Sequence, residues 1–338
     1  MTTRRRTVAA VLISAALLGA AGGYGIVAWA GARTHSTGPS AVQTVGADDA
    51  ATGDRVVFRN TASGDGYGLV ASVPLDDPDG ERSVTDRACD RVYATDLAQM
   101  CLTIDRGIVT TFTGTLRDAH DAVQASWPLP GIPSRTRISA DSRLVAMTAF
   151  VTGESYGTVA FSTQTTISST DGTDYGNLEG FELLVDGARV TAADRNIWGV
   201  TFAADDRTFY ATAASAGRTW LVRGDLAART LTAVRESAEC PSLSPDAAHI
   251  AYKKVTDSTA GSFWSIAILD LATGVETILP EPGNVDDQVE WLDNSTVLYG
   301  MPRADVVGDS DVWSLPIDGT GPPALFIPHA WSPSVVRT

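Results

Sequence analysis

Histidine and cysteine are scarce in this sequence, and their scarcity limits the chemistry that the chain can carry. Four histidines and three cysteines occur in 338 residues. Histidine is the usual general base near neutral pH. No Cys-x-x-Cys pair is present to form a zinc site or a redox dithiol. We therefore predict no catalytic residue, no metal site and no cofactor.

Basic residues are also few. The chain has 25 lysines and arginines against 40 aspartates and glutamates, which gives a formal net charge of −15. Nucleic-acid binding depends on the neutralisation of phosphates by Lys and Arg, and anionic lipid surfaces attract the same residues. The composition therefore argues against nucleic acid as a partner and against a lipid surface as a ligand of the folded part.

One long apolar run stands at the N-terminus. Arg4–Arg6 precede an uncharged segment, 8–32, that exceeds the ~20 residues needed to span a bilayer. Arginines on the leading side keep that end in the cytoplasm. We predict that residues 1–33 form a helix that tethers the chain to the cytoplasmic membrane, with membrane contact through 8–32 only. The alternative is a signal peptide cleaved near Ala30, followed by secretion; both place residues 34–338 outside the cytoplasm.

The three cysteines fit an extracytoplasmic location. In an oxidising compartment two cysteines near each other can form a disulfide. Cys89 and Cys101 are close in sequence, on neighbouring predicted strands, and we predict that they pair and leave Cys240 over. The alternative is three buried thiols that act as small hydrophobic side chains.

After the apolar run the sequence changes character twice. Residues 34–54 are rich in Thr, Ser, Gly, Ala and Asp without periodicity, which is typical of a flexible linker. From Arg55 onward, short runs of β-branched and aromatic residues alternate with Gly, Asp, Pro and Ser clusters, and no helical period is visible. We predict an all-β domain over 55–338.

A short turn pattern recurs through this domain. Its clearest copy is Ser244-Pro245-Asp246, where the Asp carboxylate is expected to accept from a backbone N–H two residues on. The spacings between the recurring aspartates are 45, 64, 41 and 47 residues, and a four-stranded propeller blade needs ~40–45. The recurring aspartates are Asp96, Asp141, Asp205, Asp246 and Asp293. The spacing therefore predicts propeller blades with one insertion.

The two ends of the domain complete the count. A sixth copy of the pattern begins at Trp331 and is followed by only seven residues, too few for a blade. Residues 55–84 align without a gap on 249–278, a segment that starts at the second strand of a blade. Residues 55–84 are therefore also expected to start at a second strand, with the first strand of that blade supplied by the C-terminal segment. We predict a six-bladed β-propeller in which the N- and C-terminal strands share one blade, so that no sheet edge is left exposed there.

The turn-and-strand pattern of Cys240–Lys254, with the segment 268–274 (Ile-Leu-Asp-Leu-Ala-Thr-Gly), resembles the repeat of TolB-type six-bladed β-propellers. Together with 286–292, the chain also resembles actinobacterial TolB-like translocation proteins. The resemblance implies a secreted or anchored propeller that works by binding. It departs from TolB itself in that the linker 34–54 stands where an α/β domain would precede the propeller.

The insertion between the second and third turn copies is the most irregular stretch, and long loops on rigid scaffolds often bind ligands. The predicted binding residues are Tyr156, Tyr175, Asn177, Glu179, Asp194, Asn196 and Trp198. We predict a non-catalytic binding module for an envelope protein or another extracytoplasmic ligand. The alternative is a propeller enzyme, a hydrolase or lyase, that uses polar groups at the central channel.

Overall fold

The computed structural model describes residues 38–46, 53–151, 162–259 and 261–338, which fall into two units. The smaller unit holds 38–42 and 62–67 and is built from local turns: the Ser40 hydroxyl donates to the Val42 carbonyl (3.0 Å) and the Tyr67 N–H to the Gly64 carbonyl (3.0 Å). The larger unit holds the other described residues and all of the strands.

The strands alternate with tight turns along the chain. In order they are β1 (Thr44–Gly46), β2 (Arg55–Asn60), β3 (Leu69–Pro74), β4 (Arg82–Ala88), β5 (Arg91–Ala94), β6 (Ala98–Arg106), β7 (Thr110–Asp118), β8 (Val123–Pro128), β9 (Ile132–Ile138), β10 (Leu144–Val151), β11 (Ser162–Ser169), β12 (Asp174–Asn177), β13 (Glu182–Val185), β14 (Ala188–Val190), β15 (Asn196–Phe202), β16 (Thr208–Ser215), β17 (Arg218–Asp225), β18 (Thr230–Glu236), β19 (Glu239–Leu243), β20 (His249–Asp257), β21 (Phe263–Asp270), β22 (Glu276–Ile278), β23 (Glu290–Asp293), β24 (Thr296–Pro302), β25 (Ser310–Pro316), β26 (Ala324–Ile327) and β27 (Ala330–Val336).

These strands form six sheets, which confirms the prediction of an all-β, six-bladed propeller. Blade 1 contains β27, β2, β3 and β4; blade 2 contains β5–β8; blade 3 contains β9–β12. Blade 4 contains β15–β18, blade 5 β19–β22 and blade 6 β23–β26. The first strands, β27, β5, β9, β15, β19 and β23, pack against one another in a ring around the central axis.

Helical structure in the described residues is limited to one 3₁₀ turn, Leu178–Gly180. In this part of the chain no helix has the length and apolar character that crossing a membrane requires. The predicted N-terminal helix, 1–33, lies outside the described residues.

The last strand of the chain belongs to the same sheet as the first strand of the domain. β27 pairs antiparallel with β2, from Arg55 opposite Val336 to Asn60 opposite Ala330. Beyond the ladder, the carboxylate of Asp54 accepts from the Thr338 N–H (3.0 Å). Blade 1 is therefore assembled from both ends of the domain.

Four of the five recurring aspartates, Asp141, Asp205, Asp246 and Asp293, accept from the backbone N–H two residues on, in the turns between the first and second strands. Asp246 accepts from the Ser244 hydroxyl (2.6 Å) and from the Ala248 N–H (3.0 Å). Asp141 accepts in the same way from the Arg143 N–H (3.1 Å). These bonds are made within five residues, so the turn can form from local sequence alone.

The segment predicted to be a linker contains one short strand among its described residues. Within 34–54, Thr44–Gly46 forms β1, which pairs parallel with β4 and places Val45 opposite Ser83. The Ser83 hydroxyl donates to the Gly46 carbonyl (3.3 Å). The outer strand of a sheet presents unpaired backbone groups, and this short segment satisfies part of them in blade 1.

The predicted disulfide is confirmed. Cys89 and Cys101 are bonded, with a Cα–Cα distance of 5.5 Å, and Cys240 is a buried free thiol. Cys89 stands just before β5 and Cys101 lies on β6, so the bond joins the entry of blade 2 to its second strand. Structural disulfides persist in oxidising compartments, so this bond fits a location outside the cytoplasm.

Candidate functional site

The centre of the propeller is closed by a buried ion pair. Arg137 on β9 and Glu290 on β23 are bonded to each other across the axis, and each side chain is less than a tenth exposed. Glu290 also accepts from the Tyr93 hydroxyl (3.3 Å) and the Val335 N–H (3.3 Å), while Arg137 donates to the Ser242 hydroxyl (3.3 Å). First strands from five blades therefore meet at this pair.

A second set of buried hydrogen bonds near the axis includes blade 4, the remaining blade. The Gln288 amide donates to the Val200 carbonyl (3.2 Å) in blade 4 and to the Pro241 carbonyl (2.8 Å) in blade 5. Buried polar groups that are fully hydrogen-bonded make a unique, rigid arrangement. The axis is therefore filled at this level, and a cavity lies on either side of it.

The larger cavity opens where the first strands begin and has a volume of about 770 Å³. Every blade contributes to its wall, which is rich in aromatic and cationic side chains. The lining residues are Arg91, Ser134, Arg135, Phe150, Trp198, Glu239, Cys240, Lys253, Trp264, Asn284, Asp286, Pro302 and Trp331. Small-molecule sites have ≈ 300–1,000 Å³, so this cavity has the size of a ligand site.

Two arginines converge in the wall of this cavity. The Arg91 Nε donates to the Ser134 carbonyl (2.7 Å), and the Arg135 Nη1 donates to the same oxygen (3.1 Å). Arg135 lies 3.9 Å from the Asp287 carboxylate, which also accepts from the Gly300 N–H (3.0 Å). Arg135 and Arg137 are two positions apart on β9 and so share one side of the strand.

The third cation of the wall is neutralised and covered. Lys253 is 4% exposed, and its Nζ contacts the Asp286 carboxylate at 2.5 Å. The same Nζ lies 4.5 Å from the centre of the Trp264 ring, a cation–π contact. The Trp264 Nε1–H donates to Glu239 (3.3 Å). Both carboxylates that line the cavity are therefore held by neighbouring side chains.

The structure brings one predicted binding residue to this cavity: Trp198, near the start of β15. Glu179 and Asn196 lie together at the junction of blades 3 and 4. Asn196 Oδ1 accepts from the Thr163 N–H (2.7 Å), and Glu179 accepts from the Ile197 N–H (3.1 Å). The Asn196 bond links β11 to β15 and the Glu179 bond links the 3₁₀ turn to β15, so both residues have an evident structural task.

Three other predicted residues that the structure describes are not part of the cavity lining. Asn177 caps the 3₁₀ turn by accepting from the Glu179 N–H (3.0 Å). Exposed Asp194 accepts from the Ser215 hydroxyl (2.6 Å), a bond that lowers the pKa of Asp194. The Tyr175 carbonyl accepts from Arg229. Tyr156 lies outside the described residues.

The insertion itself adds strands to a sheet. After β12 and the 3₁₀ turn, β13 pairs parallel with β18, and β14 pairs antiparallel with β13. Blade 4 thereby becomes a six-stranded sheet. This part of the insertion is ordered against the propeller, which the sequence pattern did not indicate.

We expect the propeller to lose stability as the pH rises from about 5 to 7, because Glu179 is protonated more readily in the folded state. Burial raises the pKa of Glu179 from its ordinary value of 4.5 to about 7. The protonated Glu179 therefore stabilises the folded state fully at pH values below the pKa that Glu179 has in the unfolded chain. This stabilisation is lost as the pH rises through the pKa of Glu179 in the folded state, by roughly 1 kcal/mol per pH unit. Denaturant unfolding from pH 5 to pH 8 measures this slope. Glu179→Gln cannot titrate, so equal slopes in the two proteins would contradict the assignment.

Sequence reasoning missed the cationic side chains of the cavity. Arg91 is the first residue of β5, and Arg135 is the middle residue of β9. Cationic residues within successive first strands are a signal that could have indicated the central channel once the blades were aligned.

No protein-family model and no curated protein matches this chain. Solved structures resemble it. TolB from Acinetobacter baumannii is 16% identical, with a TM-score of 0.57, over 83% of this chain and 66% of that one. This chain thus spans slightly less than two thirds of the length of that TolB.

Two further structures are similar. A putative TolB from Agrobacterium tumefaciens is 11% identical, with a TM-score of 0.50, over 84% of this chain and 92% of that one. A chain of a nidogen/laminin complex is 10% identical, with a TM-score of 0.55, over 84% and 98%. Identities this low establish likeness of fold and no more. With the six sheets described above, they show that this chain folds as a TolB-type six-bladed β-propeller.

Proposed function

We propose that this chain is an extracytoplasmic, non-catalytic binding module that holds a protein or cell-envelope ligand in the 770 Å³ cavity at the channel mouth. The observation that carries the proposal is the composition of the wall: aromatic and cationic side chains from five blades, with Pro302 from the sixth, surround one concave space. Such a space, with a few convergent polar groups, is the usual form of a ligand site.

The ionisable groups of the cavity favour binding over catalysis. A general acid or base must be able to reach a substrate proton. Here Asp286 is paired with Lys253, and Glu239 accepts from Trp264. Among the described residues that line the cavity there is no histidine. The enzyme hypothesis would require one of these carboxylates to leave its partner.

The location follows from two features of different kinds. The Cys89–Cys101 bond fits an oxidising compartment. The apolar run 8–32, preceded by Arg4–Arg6, would tether the domain to the cytoplasmic membrane from outside. Cleavage near Ala30 would release the same domain as a secreted protein.

The proposal is tested by capture of ligands from solubilised cell envelopes on immobilised full-length protein. We expect Trp264→Ala to lose the captured material, because it removes an aromatic wall of the cavity together with the partner of Glu239. The matched control is Arg218→Ala, which removes an exposed ion pair on the same propeller. Melting curves establish that both variants are folded.

Two results would redirect the proposal. Capture that survives Trp264→Ala but is lost in Tyr175→Ala would place the site in the insertion, as predicted from the sequence. Mass spectrometry of the released ligand decides between binding and catalysis, because an enzyme would return a hydrolysed or cleaved product. A chemically unchanged ligand supports a binding module.

A further inference from the structure

We infer that Arg91 and Arg135 form a binding site for an oxyanion, a carboxylate or phosphate, on a small ring-containing ligand of the channel-mouth cavity. This inference rests on the proposed function and specifies the chemistry of its ligand. The geometry of the two guanidinium groups is its first support.

Two positive groups share one neutral acceptor. Arg91 and Arg135 donate to the same Ser134 carbonyl, at 2.7 Å and 3.1 Å. Like charges held this close repel, and the repulsion is greater inside a protein than in water. A carboxylate or phosphate between them would replace that repulsion by two charge-assisted bonds.

The neutralisation of the pair by the protein is incomplete. Arg135 has the Asp287 carboxylate at 3.9 Å, the long limit of an ion pair. Within the described residues, no carboxylate forms a salt bridge with Arg91; its nearest acceptors are the carbonyls of Ser134 and Asp90. Burial, and then the charge of Arg135, lower the pKa of Arg91 to about 10, so it is still a cation at neutral pH.

Hydrogen-bond donors are also left over. In the described part of the chain, the Arg135 Nε is buried without a hydrogen-bond partner. The hydrogen bonds of Arg91 use its Nε and Nη1. A guanidinium carries five N–H donors in a planar fork that matches the two oxygens of a carboxylate or phosphate. The Arg135 Nε is enclosed by protein, whereas the Arg91 Nη2, for which no hydrogen bond is found within the described residues, is the donor that an oxyanion in the cavity could reach.

The charge of the cavity differs in sign from that of its surroundings. Three cations and two carboxylates line it, so the lining has a net charge of +1. Residues 34–338 together carry 21 basic and 40 acidic residues, a net charge of −19. A positive cavity in a negative domain attracts a small anion that can enter it, whereas a large acidic macromolecule is repelled by the surrounding surface.

The aromatic wall suggests the body of the ligand. Trp198, Trp264 and Trp331 line the same cavity, and the Arg91 guanidinium lies 5.7 Å from the Trp331 ring centre. Tryptophan offers a large flat apolar face with a polar edge. An acidic sugar, with a ring and one carboxylate or phosphate, fits this wall and is small enough for about 770 Å³.

Binding is measured by calorimetry and tryptophan fluorescence on full-length protein in detergent micelles. The probes are glucuronate, glucose 1-phosphate, inorganic phosphate and uncharged glucose. We expect at least one of the two acidic sugars to bind, and to bind more tightly than both inorganic phosphate and glucose. The identity of the tighter acidic sugar tells a carboxylate ligand from a phosphate ligand. Arg91→Gln should weaken this binding at least tenfold, and rising salt should weaken it further.

The control is Arg218→Gln, which removes a guanidinium from the exposed pair with Glu236 and should leave the affinity unchanged. Arg135→Gln is a second test if Arg91→Gln fails to fold, with the same tenfold loss expected. Equal affinity in wild type and a folded arginine variant overturns the inference. Glucose or inorganic phosphate binding as tightly as the acidic sugars also overturns it.

The two proposals fail in different ways. Envelope capture that depends on Trp264 but is not competed by either acidic sugar leaves the binding module in place and removes the oxyanion inference. Arg91-dependent binding of an acidic sugar, without any Trp264-dependent capture from envelopes, supports the oxyanion site and counts against the proposed partner.

Discussion

Glu290→Ala is expected to destabilise the propeller by about 3–5 kcal/mol, the usual cost of leaving a buried charge without its partner. The change removes the carboxylate that holds Arg137 and that accepts from Tyr93 and Val335. These contacts join strands of blades 1, 2, 3 and 6, so their removal should destabilise the whole ring of first strands. Urea unfolding followed by tryptophan fluorescence measures the difference.

Two further variants make this prediction specific. Glu236→Ala removes the exposed partner of Arg218 and should leave the unfolding midpoint close to that of the wild type, because exposed ion pairs contribute little. Arg137→Met with Glu290→Leu removes both charges and should destabilise less than Glu290→Ala alone. A midpoint for Glu290→Ala equal to that of Glu236→Ala would show that the axial pair is not needed for the ring.

Cys101→Ser is expected to lower the free energy of unfolding by about 3 kcal/mol, because the crosslink limits the entropy of the unfolded chain. The two bonded cysteines are 12 positions apart, and both are buried. Denaturant unfolding of the wild type, with and without a reductant, should reproduce most of the difference. Non-reducing peptide mapping should recover the 89–101 link and one free thiol at Cys240.

Cys240→Ala provides the control for this prediction. It removes the buried free thiol and keeps the disulfide, so its response to reductant should equal that of the wild type. Peptide mapping first establishes that the wild type contains the Cys89–Cys101 disulfide. If reduction then leaves its unfolding midpoint unchanged, the stabilising role of the crosslink is contradicted.

The blade repeat was predictable because its determinants are local. Asp246 bonds to Ser244 and Ala248, within the turn itself. The same pattern at Asp141 makes the same bonds, so a turn that recurs along the sequence became a blade that recurs in space. The disulfide was predictable for a similar reason, because Cys89 and Cys101 flank one strand of one hairpin.

The insertion shows where local patterns stop being informative. Its polar residues suggested a binding loop, but Glu179 and Asn196 are engaged with Thr163 and Ile197 of the neighbouring blades. The pairing of β13 with β18 joins segments almost fifty residues apart, and hydrogen bonds of that kind leave no period in the sequence. Of the predicted residues that the structure describes, Trp198 lines the cavity.

The sequence by itself determined the class of the fold, the number of blades and the disulfide, since short-range turns, strand periods and spacing specify them. Only the tertiary structure decided the candidate site. The site includes residues from four different blades that are far apart in sequence: Arg91, Arg135, Lys253 and Trp331. They meet because the ring of first strands brings the starts of all six blades to one end of the axis, where the buried Arg137–Glu290 pair closes the space beneath them.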